Sequence, residues 1–260
     1  MRRKLKIVIL IHDLESIRNL HNNEAKALKE DQKMFFLADY VIAHNDCMKK
    51  LITEKFDYEK DKIFTLQIFD YILDDSFDCT KSCKSIDAGV MVVGNLSEKK
   101  SKYLYEGDNK EVIKDFNLYG PNFSKDKLDT RRYYGVFPPE KIVSIIEGSF
   151  GLVWDGDSID TCSGKIGEYL RYNNPHKASM YLAAGFPVII WKQAALASFV
   201  ENNNVGITVD SLREIPEKIS SLSKEEYENM LVNCRLVSDK LRKGDYLNDV
   251  LNKIENGLNK

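Results

Sequence analysis

The chain has 260 residues, 43% of them hydrophobic and 30% charged, with a formal net charge of −2. The length exceeds a typical domain of ~100–150 residues, so two lobes are expected, and the near-neutral balance gives no global reason for nucleic-acid binding. Basic residues crowd only the start (Arg2, Arg3, Lys4, Lys6), and the apolar run that follows, residues 7–11, is too short for a signal peptide's hydrophobic region or for a bilayer span. The five cysteines (47, 79, 83, 162, 234) are odd in number and scattered. Cys79 and Cys83 lack a matching cysteine or histidine pair, which argues against zinc and for a reducing, cytosolic setting.

In chain order, residues 4–11 read as a strand and 14–36 carry helical periodicity. A second strand follows at 38–43, a second helix at 46–55 and a third strand at 62–69. This alternation predicts a parallel sheet with right-handed crossovers, although three strands make only half of a doubly wound domain. His12-Asp13 stands at the end of the first strand, where open α/β sheets gather ligands. His12 is a candidate base or acceptor-binding group with Asp13 orienting it; the plainer reading, favoured for Asp13, makes that residue a helix N-cap. His21 and His44 read as surface or loop histidines. The polar stretch 70–87 is the expected linker between lobes, with the first lobe ending near residue 75 and the second beginning at 88.

In the second lobe, a buried strand at 88–93 runs into Gly94-Asn95-Leu96-Ser97, with Ser97 as a potential N-cap and Lys99, Lys100 and Lys102 in the next turn. A strand and turn follow at 116–120, a helix opened by Pro138-Pro139-Glu140, and a buried strand at 151–154 that ends in Asp155-Gly156-Asp157. Asp-Gly-Asp is compatible with a divalent ion bridging a diphosphate, but a strand-end turn is the favoured reading, since a lysine on a helix start already supplies the cation. The most organised stretch is Tyr169 to Trp191, YLRYNNPHKASMYLAAGFPVIIW. Asn174 is a suitable N-cap and Pro175 a suitable first helical residue, placing His176 and Lys177 in the first turn beside free amides and the positive end of the macrodipole. Gly185 and Pro187 stop the helix, and Val188 to Trp191 read as a buried parallel strand. A helix start with an added cation is a ready phosphate site, and an ordinary capped helix is the alternative. A further helix, a strand and two amphipathic charged helices (224–243 and 246–258) complete the chain, the last 25 residues reading as a helical tail on a lobe that spans 88–235.

The combination of IHDLESIR (11–18), ADYVIAHN (38–45), GNLS (94–97), NLYGP (117–121), YYGVFPPE (133–140), GLVWDGDS (151–158) and YNNPHKASMYLAAGFPVIIW (172–191) resembles the bacterial beta-1,6-galactofuranosyltransferase and glucosyltransferase-3 family. The resemblance covers most of the chain and implies an α/β protein of the GT-B type, with two Rossmann-like parallel-sheet lobes facing a cleft. It implies transfer of a hexose, glucose or galactose in pyranose or furanose form, from a UDP-sugar bound on the C-terminal lobe to a glycan or glycopeptide on the N-terminal lobe. A diphosphate held by the helix dipole and basic side chains implies no metal and no other cofactor. By the same resemblance, Lys177 and the first-turn amides match the diphosphate site, Asn174 and His176 line its mouth, and Gly94 and Asn95 match the donor-lobe loop. Tyr133 matches an aromatic contact to the nucleotide, Lys99 or Lys100 a basic residue after the loop, and Asp155 and Gly156 the strand end facing the sugar. His12 and Asp13 are the positional candidates for catalysis. Family members carry a further half-lobe before the first strand, so the N-terminal lobe is expected to be incomplete and to associate, most simply as a homo-oligomer. Peripheral association with the inner membrane face is compatible with this reading, and so is a catalytically silent UDP-sugar-binding remnant or partner subunit.

Overall fold

The computed structural model describes residues 5–18, 23–74, 76–79, 85–105, 109–128 and 130–258. His21, Cys83 and the basic residues Arg2, Arg3 and Lys4 lie outside the described residues. Two parallel sheets form two lobes. The first holds β1 (Val8–Leu10), β2 (Tyr40–Ala43) and β3 (Ile63–Thr65), side by side in that order. The second holds β4 (Val90–Val93), β5 (Phe116–Tyr119), β6 (Tyr133–Gly135), β7 (Phe150–Val153), β8 (Val188–Trp191) and β9 (Gly206–Val209). Its spatial order, β6-β5-β4-β7-β8-β9, is the doubly wound order in which the connection reverses direction between β4 and β7.

Short apolar runs make these strands because both faces of the larger sheet are covered, and β5, β7 and β8 are buried at every position. The helix His176–Ala183 lies directly on this sheet: a Cβ at Gly151 on β7 would fall 2.1 Å from Cγ of Tyr181. The Tyr181 hydroxyl accepts from the Val93 amide (2.8 Å) and donates to the Met91 carbonyl (3.1 Å), pinning the helix to the end of β4. Helix Lys224–Lys243 covers that helix in turn. It begins with a capping box, in which Ser223 Oγ accepts from the Glu226 amide and Glu226 accepts from the Ser223 amide, and stops at Gly244 with φ of 77°.

Several expectations are corrected. The helical periodicity of 14–36 resolves into two helices, Glu15–Arg18 and Glu24–Leu37. The helix opened by Pro138-Pro139, which the sequence would carry on to about Gly148, is a single turn, Pro139–Ile142. No helix begins at Ser97, whose carbonyl accepts from Lys100 and Ser101 in a turn. The expected start of the tail at residue 236 falls inside helix Lys224–Lys243. The final helix, Asp245–Leu258, returns to the first lobe, where Val250 and Ile254 pack with Ile42, Leu66 and Phe69. Asp70 fixes that return by accepting from the amides of Tyr246 (3.2 Å) and Leu247 (2.8 Å) at the helix start. Among the described residues, no helix is long and apolar enough to cross a membrane.

Candidate functional site

A parallel strand delivers its following loop to one edge of the sheet, and a helix running back across the sheet begins at that same edge. The loops after β4 and β7 flank the reversal point of the larger sheet, and they are the two strand-end loops singled out in the sequence. Gly94 is exposed with φ of 141°. Close beside it comes the peptide of Gly120, whose Cβ, if present, would sit 1.8 Å from the Gly94 carbonyl oxygen. Asn95 organises its own loop, its Oδ1 accepting from the Ser97 amide and from Asn122 Nδ2, both at 3.0 Å. Tyr133 stands two strands away on β6, and its hydroxyl donates to the carbonyl of Gly120, in the loop after β5, at 3.1 Å. Its ring stacks on Phe123, 4.5 Å between centroids. Lys99 is exposed and Lys100 half-buried in the turn beyond.

On the other side of the reversal point, Asp155 and Lys177 form an ion pair at 2.7 Å, and Lys177 Nζ also donates to the Trp154 carbonyl at 3.0 Å. Both side chains are mostly buried, so the pair is held in place rather than waving in solvent. An ammonium has three donors, which leaves one of the Lys177 hydrogens for a ligand. In the helix behind it, the Ala178 amide donates to the Pro175 carbonyl, while those of His176 and Lys177 have no partner among the described residues. Gly156 has φ of 113°, and its backbone presses so closely on Ser163 that a Cβ would fall 2.3 Å from the Ser163 carbonyl oxygen.

The two lobes meet along the C-terminal edges of both sheets. His12, after β1, is exposed and stacks on Phe69 (5.3 Å) and His176 (5.8 Å), with Phe69 stacked on His176 at 4.3 Å. Burial lowers the pKa of the His176 imidazole, the nearby His12 adds to that, and Asp13 opposes it. The structure therefore brings together His12, His176 and Phe69 across the cleft, and Asp155 with Lys177 at its floor. Tyr133 lies apart from these groups, on the outer strand β6.

Three readings change. Asp13 neither caps a helix nor orients His12: its carboxylate accepts from Arg18 at 2.6 Å, and the Ser16 amide in the first turn is capped instead by Asp31. Asn174 is not the N-cap, because the helix starts at His176 after Pro175 and the Asn174 side chain turns away into the other lobe. Its Nδ2 donates to the carbonyls of His44 (2.7 Å) and Gln67 (2.8 Å), and its Oδ1 accepts from Asn45 (2.8 Å), leaving no Nδ2 hydrogen for a donor substrate. His44, read as a surface or loop histidine, is 1% exposed. Its Nδ1 accepts from the Asn174 amide at 2.9 Å, so Nε2 carries the proton and donates to the Ile11 carbonyl, also at 2.9 Å. Burial pushes its pKa down to about 4, with the backbone bond to Ile11 opposing and His176 and His12 adding to the drop. His44 follows β2 as His12 follows β1, so the strand-end rule that flagged one flags the other. Phe69 and Tyr169, whose hydroxyl accepts from the buried Leu14 amide at 3.0 Å, carried no comparable local signal.

Comparison with known proteins gives a consistent picture. Residues 1–68 match the model of the glucosyltransferase 3-like N-terminal domain, and residues 90–254 that of the C-terminal domain. The chain is 38% identical over 259 residues to the beta-1,6-galactofuranosyltransferase WbbI of Escherichia coli (strain K12), covering 98% of this chain and 73% of that protein. It is 34% identical over 135 residues to glucosyltransferase 3 of Streptococcus gordonii, covering 52% of this chain and 40% of that protein. Among solved structures, Anabaena Alr3699/HepE in complex with UDP and glucose superposes with a TM-score of 0.55 at 12% identity, covering 98% of this chain and 72% of that one. At that identity the likeness speaks for the fold, which is that of GT-B glycosyltransferases.

Proposed function

The chain belongs to the glucosyltransferase 3-like family of glycosyltransferases, and on that premise we propose that it moves a hexose from a UDP-sugar to a carbohydrate or glycopeptide acceptor. The hexose is glucose or galactose, the furanose form included. The observation that carries this reading is the held Asp155–Lys177 pair beside the two unpartnered amides of His176 and Lys177, at the reversal point of the larger sheet. Negative charge develops on the diphosphate as UDP departs. A fixed ammonium with one donor to give, two aligned amides and the positive end of a helix stabilise that charge without reorganising. Gly94 and Gly156 let the backbone approach the donor, Asn95 shapes the first loop, Tyr133 takes the nucleotide ring, and Lys99 or Lys100 adds positive charge near the phosphates.

On the acceptor side, His12 is our candidate base, packed with His176 and Phe69 at the lobe junction. Asp13 contributes its charge while engaged with Arg18. The reaction in this reading uses no resident metal, because Asp155, a carboxylate that an ion at Asp155-Gly156-Asp157 would require, already neutralises Lys177. UDP release from UDP-glucose or UDP-galactofuranose should then survive EDTA unchanged; a collapse restored by manganese would contradict it. The reading sets the work in the cytoplasm. It includes self-association, since β1 is an edge strand among the described residues and Leu5, Ile7, Phe36 and Leu37 are exposed. A clean monomer in size-exclusion chromatography with light scattering would refute that part.

The test of the site is titration of UDP and uridine into the parent and Lys177→Ala. UDP should weaken about tenfold or more while uridine hardly changes, the loss of a charge-assisted hydrogen bond being worth about 1.5–3 kcal/mol. Equal losses for both ligands would contradict the assignment. UDP binding with no turnover of any donor would instead favour a silent donor-binding subunit.

A further inference from the structure

The residues that join the lobes are organised around one asparagine. Asn174 receives or gives hydrogen bonds at every polar atom of its side chain and at its amide, and all of these partners belong to loops after β2 and β3 of the first lobe. Asn45 Nδ2 additionally donates to the Tyr172 carbonyl at 2.9 Å, and His44 Nε2 ties the same assembly to Ile11 at the end of β1. All three strand ends of the first lobe are thus bound to the loop 172–174 that feeds the helix bearing His176 and Lys177. The joint is dry: Asn174 is 2% exposed and His44 1%. It is also strained. Gln67, whose carbonyl accepts from Asn174 and whose amide donates to His44, is held at φ of 73°, a left-handed conformation unfavourable for a residue with a Cβ.

We propose that His44 and Asn174 form a positioning clasp, which sets the height of the helix start carrying His176 and Lys177 against the acceptor-side loop carrying His12. Neither residue touches substrate. The clasp acts because the helix amides and Lys177 belong to one lobe and His12 to the other; Asp70 and Tyr169 also join the lobes, and the clasp is the joint that grips the loop feeding this helix start. The inference rests on the transferase reading for its effect on rate, but not for its effect on lobe geometry.

The two ring nitrogens of His44 allow a test within one position. Nδ1 faces the other lobe and Nε2 faces its own. His44→Asn places an amide oxygen near the Nδ1 position and keeps the bond across the lobes, while losing the one to Ile11. His44→Gln places an amide nitrogen near the Nε2 position and keeps Ile11, while losing Asn174. Each variant gives up one buried hydrogen bond, so a residue with a merely structural role would show equal effects. The expected result is that His44→Gln lowers kcat for UDP release from UDP-glucose or UDP-galactofuranose about tenfold or more with UDP affinity unchanged, whereas His44→Asn stays within about threefold of the parent. Hydrogen exchange of the backbone amides from Ala178 to Ala183 should quicken in His44→Gln only, and this readout needs no activity. Equal loss of rate in both variants, or identical exchange in all three proteins, would overturn the clasp. If the parent turns over neither donor, the transferase reading fails, and the exchange comparison still decides the clasp.

Discussion

Acidification offers a quantitative handle on the lobe junction. Burial holds the His44 imidazole at about 4, against an ordinary value of 6.5, with the Ile11 carbonyl and the Asn174 amide on its two nitrogens and His12 and His176 nearby. Between those two pH values the unfolded chain binds a proton that the fold refuses, so stability rises with pH across the window. The stabilisation is fully present above about pH 6.5, falls as the pH drops below that value, and is gone below about pH 4. The gap, at about 1.4 kcal/mol per pH unit, amounts to about 3 kcal/mol, of which about 2.5 kcal/mol is lost between about pH 7 and pH 4.5. Urea unfolding of the parent and His44→Asn at a series of pH values isolates this contribution, because carboxylates and the other histidines titrate in both proteins. The parent should lose about 2.5 kcal/mol more than the variant over that interval. Parallel pH profiles for the two proteins would refute the buried neutral imidazole.

Other consequences follow from the packing. Gly151→Ala would drive a methyl into the Tyr181 ring and should cost about 1–3 kcal/mol or more, read as a lowered thermal midpoint; an unchanged midpoint would mean that the helix His176–Ala183 does not sit against β7 as described. Tyr169→Phe strips the buried Leu14 amide of its acceptor and should cost about 1–3 kcal/mol. A neutral outcome in thermal unfolding would contradict that link between the lobes. Asp31→Ala removes the distant cap of Ser16 and should destabilise by about 1 kcal/mol, whereas Asp13→Ala, removing a half-exposed partner of Arg18, should cost less; the reverse ranking would reinstate Asp13 as the cap.

The fold was legible wherever local chemistry decides. Apolar runs bounded by Gly, Asn and Asp mark the buried parallel strands, and the amphipathic charged period marks helix Lys224–Lys243. The strand-end rule likewise marks Gly94, Asp155 and His12 from the sequence. What stayed hidden depends on partners distant in the chain. An asparagine before a proline reads as a helix cap, yet the Asn174 side chain is claimed by residues about 107 to 130 positions away. Lys177 was visible as a cation at a helix start, whereas its pairing with Asp155 required the β7 loop to fold beside it. The last helix was visibly amphipathic, but which lobe its apolar face covers follows from Asp70 and Phe69, far away in sequence. Periodicity states that a face is buried without stating against what.

A crystal structure of the protein with UDP tests the central assignment most directly. The account predicts the diphosphate between the Gly94 and Asp155–Gly156 loops, with phosphate oxygens about 3 Å from Lys177 Nζ and from the amides of His176 and Lys177. A diphosphate bound elsewhere, with Lys177 still paired to Asp155 and no phosphate at the helix start, would contradict it.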